Sequence, residues 1–290
     1  MPTLSCVGAG LLGKTVCQLL SSQLSVQQII NRSSDSAQQA VDFIGAGRIA
    51  NWSELEAADI WLIATPDNQL EAAARRLSES GVLRSGDTVF HCSGSLSSEI
   101  FDFFRDDIHT ASAHPIHSFA NPQQSLNTFA GSHCAIEGET QAVALLTTLF
   151  TNLGALPFAI ESQNKALYHA ATVMACNYLV SLLNTSQQLL DSAGVESSVN
   201  PLESLIRLSL DNYLATGAQA SLTGPIARGD SQTVAKHIEA MQAHPESPVW
   251  QQVYRALGNA ALSISAAQGQ ASEESLASIA ALLTSPQGEQ

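Results

Sequence analysis

The sequence predicts an α/β fold, with a mostly parallel sheet in the first half and an all-helical domain in the second. A glycine-rich turn, Gly8–Gly13, joins the first apolar run of the chain to an amphipathic helix. Short apolar runs then alternate with amphipathic stretches through the first half, and from about Gln163 the pattern changes to long helical segments. These three observations are typical of βαβ units followed by a separate helical domain.

The first half contains strands and helices in strict turn. The strands are predicted at Leu4–Val7, Gln28–Asn31, Asp59–Ala64, Thr88–His91 and Thr110–Ala113. The helices between them are predicted at Leu11–Ser22, Ser36–Ile44, Asn68–Ser80 and Ser97–Phe104. This alternation implies right-handed crossovers and a parallel sheet. Two later runs, Ser132–Ile136 and Ala155–Ile160, flank a helix near Thr140–Asn152 and are expected to extend the sheet at its edge.

The second half is predicted to be helical throughout. Its helices are expected at Gln163–Ala193, Pro201–Thr216, Ser231–Ala243, Pro248–Gln268 and Ser272–Leu283. Glycine and proline clusters separate these segments, as they do between helices generally. We therefore predict two domains, one over residues 1–158 and one over residues 159–290.

The composition is that of a globular protein with a large core. Of the 290 residues, 45% are hydrophobic and 13% are charged, which argues against disorder. The net charge of −14 repels nucleic acid and anionic membrane surfaces, so neither is expected as a partner. The five cysteines lie far apart without a CxxC pair, which favours reduced thiols in the cytoplasm and no metal site.

One stretch, Ala170–Leu190, carries no formal charge and is long enough to suggest a membrane span. Asn177, Asn184 and other polar residues interrupt it at positions that a lipid-facing helix would not favour. We interpret it as a helix buried inside the protein. The first residues of the chain lack the basic and apolar regions of a signal peptide, so we expect a soluble, cytoplasmic protein.

The glycine turn is the first functional motif. It follows a predicted strand and opens a predicted helix, which is the placement that dinucleotide binding requires. Gly8 permits the tight turn, Gly10 lets the backbone approach a pyrophosphate, and Gly13 allows close packing of helix and sheet. The N–H groups at the helix start then face the phosphates. The predicted contacts are Gly8, Ala9, Gly10, Leu11, Leu12 and Gly13; the alternative is an ordinary strand–helix turn.

The end of the second strand distinguishes the two nicotinamide cofactors. Proteins that bind NAD usually place a carboxylate there for the ribose 2′-hydroxyl. This chain has Asn31, Arg32 and Ser33 instead, and a guanidinium with hydroxyls suits a 2′-phosphate. We therefore predict NADP(H). The alternatives are that Arg32 is an ordinary surface arginine and that Asp35 binds a ribose.

Two further strand ends complete the predicted cofactor site. Ala64, Thr65 and Pro66 follow the third predicted strand, and Asp67 is expected to cap the next helix, so that they form a small rigid shelf beside the cofactor. Ser93 follows the next strand and is also predicted to contact the cofactor, because ligands of such sheets bind outside the carboxyl ends of the strands.

The predicted catalytic residues are Lys165, His169 and His114. Lys165 and His169 are one helical turn apart and project from one face, where either residue is able to protonate the alkoxide left by hydride transfer. His114 ends a strand and is expected to orient the substrate; His91 and His117 are weaker candidates. The structural alternatives are hydrogen-bonded histidines and a lysine at a solvated helix start.

Two residues of the helical half are predicted to bind substrate. Asn177 lies two turns beyond His169, close to the same helix face, and is suited to a carboxylate or hydroxyl. Arg228 is suited to a carboxylate through two parallel hydrogen bonds. An ion pair between Arg228 and Asp230, or a contact in a dimer, explains that segment equally well.

With these residues assembled, the chain resembles the Rossmann-like proteins that carry a helical C-terminal domain of unknown function (domain 2520). These proteins are relatives of ketopantoate reductase, pyrroline-5-carboxylate reductase and the coenzyme-F420-dependent NADP oxidoreductases. The resemblance covers nearly the whole chain. It rests on Gly8–Gly13, Asn31-Arg32-Ser33, Ala64-Thr65-Pro66-Asp67, His91-Cys92-Ser93-Gly94, His114-Pro115, Lys165 to Asn177, and Leu222-Thr223-Gly224-Pro225 with Arg228-Gly229-Asp230.

The resemblance implies roles for individual residues. In the hydroxyacid-dehydrogenase relatives an essential lysine is followed four residues later by asparagine; Lys165 matches that lysine, but His169 stands at the asparagine position, which leaves the substrate open. The segment His114-Pro115-Ile116 looks like the motif of prephenate dehydrogenases in which the histidine acts on the substrate hydroxyl. The resemblance also implies a homodimer formed through the helical domain.

Together these observations predict an NADPH-dependent oxidoreductase that reduces a small carbonyl acid. A 2-keto acid such as ketopantoate is the leading candidate for the substrate. The alternative from another class is a non-catalytic NADP(H)-binding or scaffold protein that dimerises through its helical domain. A third possibility is an F420-linked oxidoreductase, although no residue of the sequence identifies a deazaflavin pocket.

Overall fold

The computed structural model describes residues 1–195, 201–244 and 247–284. Eight strands form one sheet: β1 (Thr3–Val7), β2 (Ser25–Ile30), β3 (Arg48–Ile49), β4 (Ile60–Ile63), β5 (Thr88–His91), β6 (His109–Pro115), β7 (His133–Gly138) and β8 (Leu156–Ala159). The helices of the sheet region are α1 (Leu11–Leu20), α2 (Ser34–Ile44), α3 (Asp67–Glu79), α4 (Pro122–Thr128) and α5 (Thr140–Asn152). The later helices are α6 (Lys165–Val173), α7 (Leu179–Ser192), α8 (Leu202–Ser221), α9 (Ser231–Gln242), α10 (Ser247–Gln268) and α11 (Glu273–Thr284).

The sheet has the strand order β3-β2-β1-β4-β5-β6-β7-β8. Strands β1 to β6 are parallel, whereas β7 is antiparallel to β6, and β8 is parallel to β7. The order reverses at β1, which has β2 on one side and β4 on the other, and a crevice for ligands opens at such a point. The prediction of a mostly parallel sheet followed by helices is therefore confirmed.

The two faces of the sheet bury different side chains because neighbouring residues of a strand point to opposite sides. One face packs Cys6, Leu62 and Phe90 into a core with α1, α2 and α5. The other face packs Val7, Trp61 and Ile63 against α3 and the segment after β5. This second face carries the polar residues described below.

The five predicted strands and the two at the edge are confirmed, but one predicted helix is wrong. Ser97–Phe104 was expected to be helical, whereas only a 3₁₀ turn forms, at Ser98–Phe101. Tertiary contacts override the local preference there. Ser98 gives its backbone N–H and hydroxyl to Glu137, which ties this part of the segment to β7, and the rings of Phe101 and Phe104 are buried in the core on the same face of the sheet. The short strand β3 and the helix α4 were not predicted.

The chain divides into two compact units, Met1–Asn177 and Tyr178–Gln290. The described residues of the second unit form helices, and its core is built around Val234, Ile238, Ile279 and Leu283 of α9 and α11. The division falls later in the chain than the predicted domain boundary at 158/159, which stays a prediction.

The expectation of a buried uncharged helix is wrong. The stretch forms α6, a π-helical turn at Met174–Tyr178 and α7. No residue of α7 is buried, and large side chains such as Met174 and Val180 are more than 60% exposed. The helical segment Ser162–Ser192 is also long and apolar enough to cross a membrane, which by itself is weak evidence. The hydrophobic periodicity of a sequence indicates that a helix face is apolar, but it does not show what packs against that face.

Candidate active site

The glycine turn leaves the start of α1 open. Gly8 has φ +88°, and a Cβ atom at this position would lie 2.7 Å from the backbone nitrogen of Thr65. A Cβ on Gly13 would lie 2.8 Å from the carbonyl oxygen of Gly8. Gly10 caps α1 without any side-chain hydrogen bond, and a Cβ there would meet nothing within 4 Å. The first and last glycines are therefore required by the backbone, while the space at Gly10 is free for a phosphate group.

A cavity of about 460 Å³ lies over this turn. Nine predicted cofactor residues line it: Gly8, Ala9, Gly10, Leu11, Asn31, Arg32, Ser33, Thr65 and Pro66. Leu12, Gly13, Ala64 and Ser93 are not in its lining; Leu12 packs against the core, and Ala64 packs against Gly13. Lys14, Ser36 and Gln39 also line it and were missed by the sequence analysis. The lining carries two cations, Arg32 and Lys14, and no carboxylate.

A neighbouring cavity of about 360 Å³ has an aromatic residue in its lining, which the first cavity does not. It shares Arg32 and Thr65 with the first cavity and adds Trp52 and Arg76. The guanidinium of Arg76 lies 4.5 Å from the centre of the Trp52 ring, which fixes both side chains by a cation–π contact. Such a stacked surface suits a planar base, so the linings of the two cavities together match the chemistry of a dinucleotide.

Two predicted phosphate ligands also have structural partners. Asn31 accepts a hydrogen bond from the backbone N–H of Ala9 at 2.7 Å, and so holds the glycine turn against β2. Ser33 caps α2 by accepting from the N–H of Ser36. Asp35, the alternative ribose ligand, is exposed and does not line the cavity.

Thr65 gives a second, independent indication that a ligand binds in these two cavities. Its hydroxyl oxygen is buried and has no hydrogen-bond partner. An unpaired buried hydroxyl costs about 1–3 kcal/mol, so such groups usually have a partner that the protein alone does not provide. Because Thr65 lines both cavities, the residues present fit a bound dinucleotide.

A row of buried polar side chains runs across β5, β6 and β7 of the same sheet. The strand register places His91 of β5 beside Ser112 of β6, and Ser112 beside Glu137 of β7. Paired residues of neighbouring strands project from the same face. His91 and Ser112 are fully buried and Glu137 is 6% exposed. Since an unpaired buried charge is very costly, this row requires a counter-charge.

Lys165 provides that counter-charge. It is the first residue of α6 and is only 1% exposed. Its Nζ donates to the hydroxyl of Ser112 and, at 3.1 Å, to the carbonyl oxygen of Ser93, and it lies 3.5 Å from a carboxylate oxygen of Glu137. Burial lowers the pKa of the Lys165 ammonium, and the Glu137 carboxylate opposes that shift. An ammonium has three hydrogens, and three acceptors surround this one.

Glu137 joins three segments at this point. One carboxylate oxygen accepts from the backbone N–H of Ser98 at 2.8 Å. The other accepts from the hydroxyls of Ser98 at 2.7 Å and Ser162 at 2.8 Å. The carboxylate therefore connects β7 to the turn after β5 and to the residues that precede α6. The sequence analysis missed it because a single glutamate near the end of a strand carries no motif.

His91 is held as a neutral ring. Its Nε2 donates to the carbonyl oxygen of Ser97 at 3.2 Å, and its Nδ1 accepts from the N–H of Ser93 at 3.1 Å. Burial, with a smaller contribution from the nearby Lys165 ammonium, lowers the pKa of His91 to about 4. These contacts position the Ser93–Gly94 turn, so His91 is a structural group. His117, the other weak candidate, contacts the hydroxyl of Ser132 at 3.0 Å.

His114 and His169 meet at Gly94. Their rings are edge to face with centres 5.5 Å apart. A Cβ on Gly94 would lie 2.9 Å from Nε2 of His114 and closer still to Nδ1 of His169. Burial, the neighbouring His169 and Lys165 together lower the pKa of His114 to about 4. Nδ1 of His114 also lies 2.7 Å from the hydroxyl of Tyr168, a residue that the sequence analysis passed over.

Ser93 connects this site to the start of α3. Its hydroxyl donates to Asp67 at 2.9 Å, and Ser95 donates to the same carboxylate oxygen at 2.8 Å. The structure thus brings together His114, His169 and Lys165 around the Ser93–Gly94 turn, at the carboxyl ends of β5 and β6. This edge of the sheet is where ligands of such folds bind.

The two predicted substrate residues belong to different units of the chain. Asn177 is an exposed residue of the π-helical turn. Arg228 belongs to the second unit, where it lines a cavity of about 630 Å³ with Thr223 and Gln268. Asp230 caps α9 through the N–H and hydroxyl of Thr233, and those bonds, helped by the nearby Arg228, lower the pKa of the Asp230 carboxyl.

Comparisons with known proteins agree with this architecture. A Rossmann-like domain model matches residues 3–113, and the model of a domain of unknown function (DUF2520) matches residues 132–261. The DUF2520 match begins just before β7, and so includes the last two strands. No curated protein sequence matches the chain.

Several solved structures share the fold over most of their length. A Bacteroides fragilis protein assigned as an NADP oxidoreductase is 18% identical, covers 89% of this chain and 97% of its own, and gives a TM-score of 0.75. A Thermotoga maritima protein is 25% identical, with 92% and 99% covered and a TM-score of 0.69. A Coxiella burnetii pyrroline-5-carboxylate reductase is 14% identical, with 91% and 98% covered and a TM-score of 0.55. From the domain matches and the sheet order, this chain is a Rossmann-like protein with a C-terminal DUF2520 domain.

Proposed function

We propose that this protein is an NADP(H)-dependent oxidoreductase that reduces a small carbonyl acid, with 2-keto acids such as ketopantoate as the leading substrate class. One observation carries the proposal. Two adjacent cavities with cationic lining, over the glycine turn, belong to the same sheet that brings two imidazoles and a lysine together at the carboxyl ends of β5 and β6. The solved neighbours with this fold include assigned oxidoreductases and reductases, which supports the general class.

The cofactor residues divide into three groups. The backbone of Gly8–Gly13 faces the pyrophosphate, Trp52 and Arg76 suit the adenine, and Arg32 with Lys14 suits a 2′-phosphate. NADPH supplies a hydride when it is bound. The absence of a carboxylate from the lining of the larger cavity favours NADPH over NADH, because a carboxylate would repel the 2′-phosphate.

The chain's own residues must orient the carbonyl and provide a proton for its oxygen. We assign orientation to His114 and proton donation to His169. Both rings line the turn at Gly94, and imidazole exchanges protons readily near neutral pH. Lys165 was the other predicted donor. Its three hydrogens face protein acceptors, so we assign it to holding the Ser93 carbonyl and the Ser112 hydroxyl in place. Asn177, suited to a carboxylate or a hydroxyl, and Arg228, suited to a carboxylate, stay predictions as substrate ligands.

Cofactor preference is tested by measuring the Kd of NADPH and NADH for the wild type and Arg32→Ala. Loss of one charge-assisted hydrogen bond is worth about 1.5–3 kcal/mol, so NADPH binding is expected to weaken about 10- to 100-fold. NADH binding should change less than about twofold, because it lacks the 2′-phosphate. Arg75→Ala is the matched control, since Arg75 pairs with Glu71 on the exposed face of α3. Equal losses for both cofactors would contradict the assignment.

Catalysis is tested by NADPH oxidation at 340 nm with a panel of 2-keto acids, ketopantoate first. His169→Ala is expected to lower kcat on the best substrate by about 100-fold, the usual contribution of a general acid. The alternative function, a non-catalytic NADP(H)-binding or scaffold protein, has one observation in its favour: Lys165 is buried and occupied by protein acceptors. Tight NADPH binding without turnover of any carbonyl compound would favour that alternative.

We also propose that the protein is a homodimer formed through α7 and α8. Neither helix has a buried residue, and their exposed large side chains include Val180, Leu205, Leu208, Tyr213 and Leu214. Apolar surface on this scale favours a protein partner. A second copy supplies the same apolar surface, and the stretch Ala170–Leu190, which includes most of α7, carries no formal charge that would repel its own copy, so an isologous contact is the simplest arrangement. The cytoplasmic location stays a prediction.

A further inference from the structure

The side chain of Tyr168 is placed to control His114. Its hydroxyl oxygen lies 2.7 Å from Nδ1 of His114, within the range of a strong hydrogen bond. The two rings are edge to face at 85°, with centres 5.6 Å apart. The imidazole of His114 also meets the ring of His169 edge to face at 86°. The ring of His114 is therefore held between two aromatic neighbours, and its Cε1–Nε2 edge faces the space beside Gly94.

The direction of this hydrogen bond follows from the charge states of its partners. Burial raises the pKa of the Tyr168 hydroxyl to about 12, so the phenol keeps its proton near neutral pH. His114 is neutral, because burial and the adjacent His169 and Lys165 oppose a positive charge on it. A phenol is a better donor than an imidazole N–H, and an imidazole nitrogen is a better acceptor than a phenol oxygen. The hydroxyl of Tyr168 therefore donates, and Nδ1 accepts.

We propose that Tyr168 is a positioning residue that donates to Nδ1 of His114 and so places the single imidazole proton on Nε2, the nitrogen beside Gly94. A neutral imidazole with a fixed tautomer is a directed hydrogen-bond donor. It stabilises negative charge on a carbonyl oxygen without first acquiring a proton, as neutral histidines do in other enzymes. This role rests on the proposed reductase function, in which His114 orients the substrate carbonyl.

The adjacent positions of Tyr168 and His169 in the sequence also explain how both residues reach His114. Adjacent residues of a helix are about 100° apart, so they reach His114 from two sides. Tyr168 fixes the proton of His114, while His169 remains available as the proton donor. Lys165, one turn earlier, anchors the helix start below them.

Tyr168→Phe tests the proposal, because it removes the hydroxyl and retains the ring. The first readout is the ¹⁵N chemical shifts of His114, assigned by comparison with His114→Gln, at pH 7 and without substrate. The wild type is expected to carry its proton on Nε2, and the variant is expected to show a mixture of both tautomers. The second readout is kinetic: kcat/KM on the best 2-keto acid is expected to fall about 10- to 100-fold, while the Kd of NADPH changes less than twofold.

The chain offers a matched control. Tyr254 contacts Nδ1 of His237 at 2.9 Å, with rings edge to face at 86°, in the second unit. Tyr254→Phe removes an equivalent hydrogen bond and is expected to leave His114 and kcat/KM unchanged. A wild-type protein with the proton on Nδ1, an unchanged tautomer in Tyr168→Phe, or full activity of that variant overturns the proposal. A correct tautomer pattern in a protein that reduces no carbonyl acid overturns the reductase assignment alone.

Discussion

Nζ of Lys165 and Oε1 of Glu137 lie 3.5 Å apart in the interior of the sheet region, where the two residues are 1% and 6% exposed. The ammonium of Lys165 also donates to Ser93 and Ser112. The carboxylate of Glu137 also accepts hydrogen bonds from Ser98 and Ser162. A buried ion pair of this kind is tolerated only when its hydrogen bonds are complete. The pair therefore fixes where α6 begins relative to β6 and β7.

The first prediction concerns the stability of this ion pair. Glu137→Gln keeps the shape of the side chain but leaves the Lys165 ammonium buried without a counter-charge. We expect the free energy of unfolding to fall by about 3 kcal/mol or more, as for other buried pairs that lose one partner. Urea unfolding at pH 7 measures it. Glu71→Gln is the control, because its pair with Arg75 is exposed on both sides and should cost less than about 0.5 kcal/mol.

A loss as small as that of the control would mean that Lys165 loses its proton or leaves the interior. The same variant also tests the direction in which the pKa of Lys165 changes. The carboxylate of Glu137 supports the protonated form of Lys165, so the pKa of Lys165 is expected to fall further in Glu137→Gln.

The second prediction concerns Gly94→Ala. The added Cβ would lie 2.9 Å from His114 and closer to His169, so both rings must move. Because side chains rather than backbone obstruct it, the fold should tolerate the change at a cost of about 1–2 kcal/mol. We expect kcat to fall at least tenfold while the Kd of NADPH is unchanged.

Gly10→Ala provides the contrast to Gly94→Ala. Its Cβ meets no protein atom within 4 Å, but it enters the space over the glycine turn. This variant is expected to weaken NADPH binding without lowering stability. If Gly94→Ala instead weakened cofactor binding and spared kcat, the placement of the reacting groups at Gly94 would be wrong.

The third prediction concerns acid sensitivity. Burial lowers the pKa of His91 to about 4 in the folded protein, whereas an unfolded histidine titrates near 6.5. Between these values the unfolded state binds a proton and the folded state does not, so stability falls as the pH drops. The slope from this residue approaches about 1.4 kcal/mol per pH unit and reaches about 3 kcal/mol in total by pH 4.

Urea unfolding of the wild type and His91→Gln at pH 7, 6, 5 and 4.5 measures this term. The variant should be less stable at pH 7, because it loses the paired hydrogen bonds to Ser93 and Ser97. Its stability should nevertheless depend less steeply on pH below 6.5. Parallel curves for the two proteins would show that His91 is protonated in the fold.

The fourth prediction concerns the proposed dimer. Light scattering after gel filtration is expected to give twice the chain mass of 30.6 kDa. Leu205→Glu on α8 places a charge in the proposed contact and should shift the protein to the monomer. Leu257→Glu, an exposed leucine of α10, is the control and should not. A wild-type monomer at micromolar concentration would refute the dimer.

The strands, most of the helices and the glycine turn, with φ +88° at Gly8, are all predictable from local sequence. The sequence also indicates the strand-end His114 and Lys165. These features depend on local rules, namely residue periodicity, helix capping and the sterics of glycine, which need no knowledge of distant residues. The same rules fail for Ser97–Phe104, where contacts with Glu137 and the sheet determine the backbone.

How these residues are combined depends on the folding of the whole sheet region. Strand register places Ser112 beside Glu137, and chain folding brings Lys165 to them from 28 residues beyond Glu137. The same folding joins Tyr168 to His114 and adds Lys14, Trp52 and Arg76 to the cofactor cavities. It also leaves the uncharged stretch Ala170–Leu190, which includes most of α7, exposed within the chain, where the sequence predicted burial. Burial, and with it the charge and tautomer of each group, depends on neighbours that are distant in sequence, and local periodicity carries no information about them.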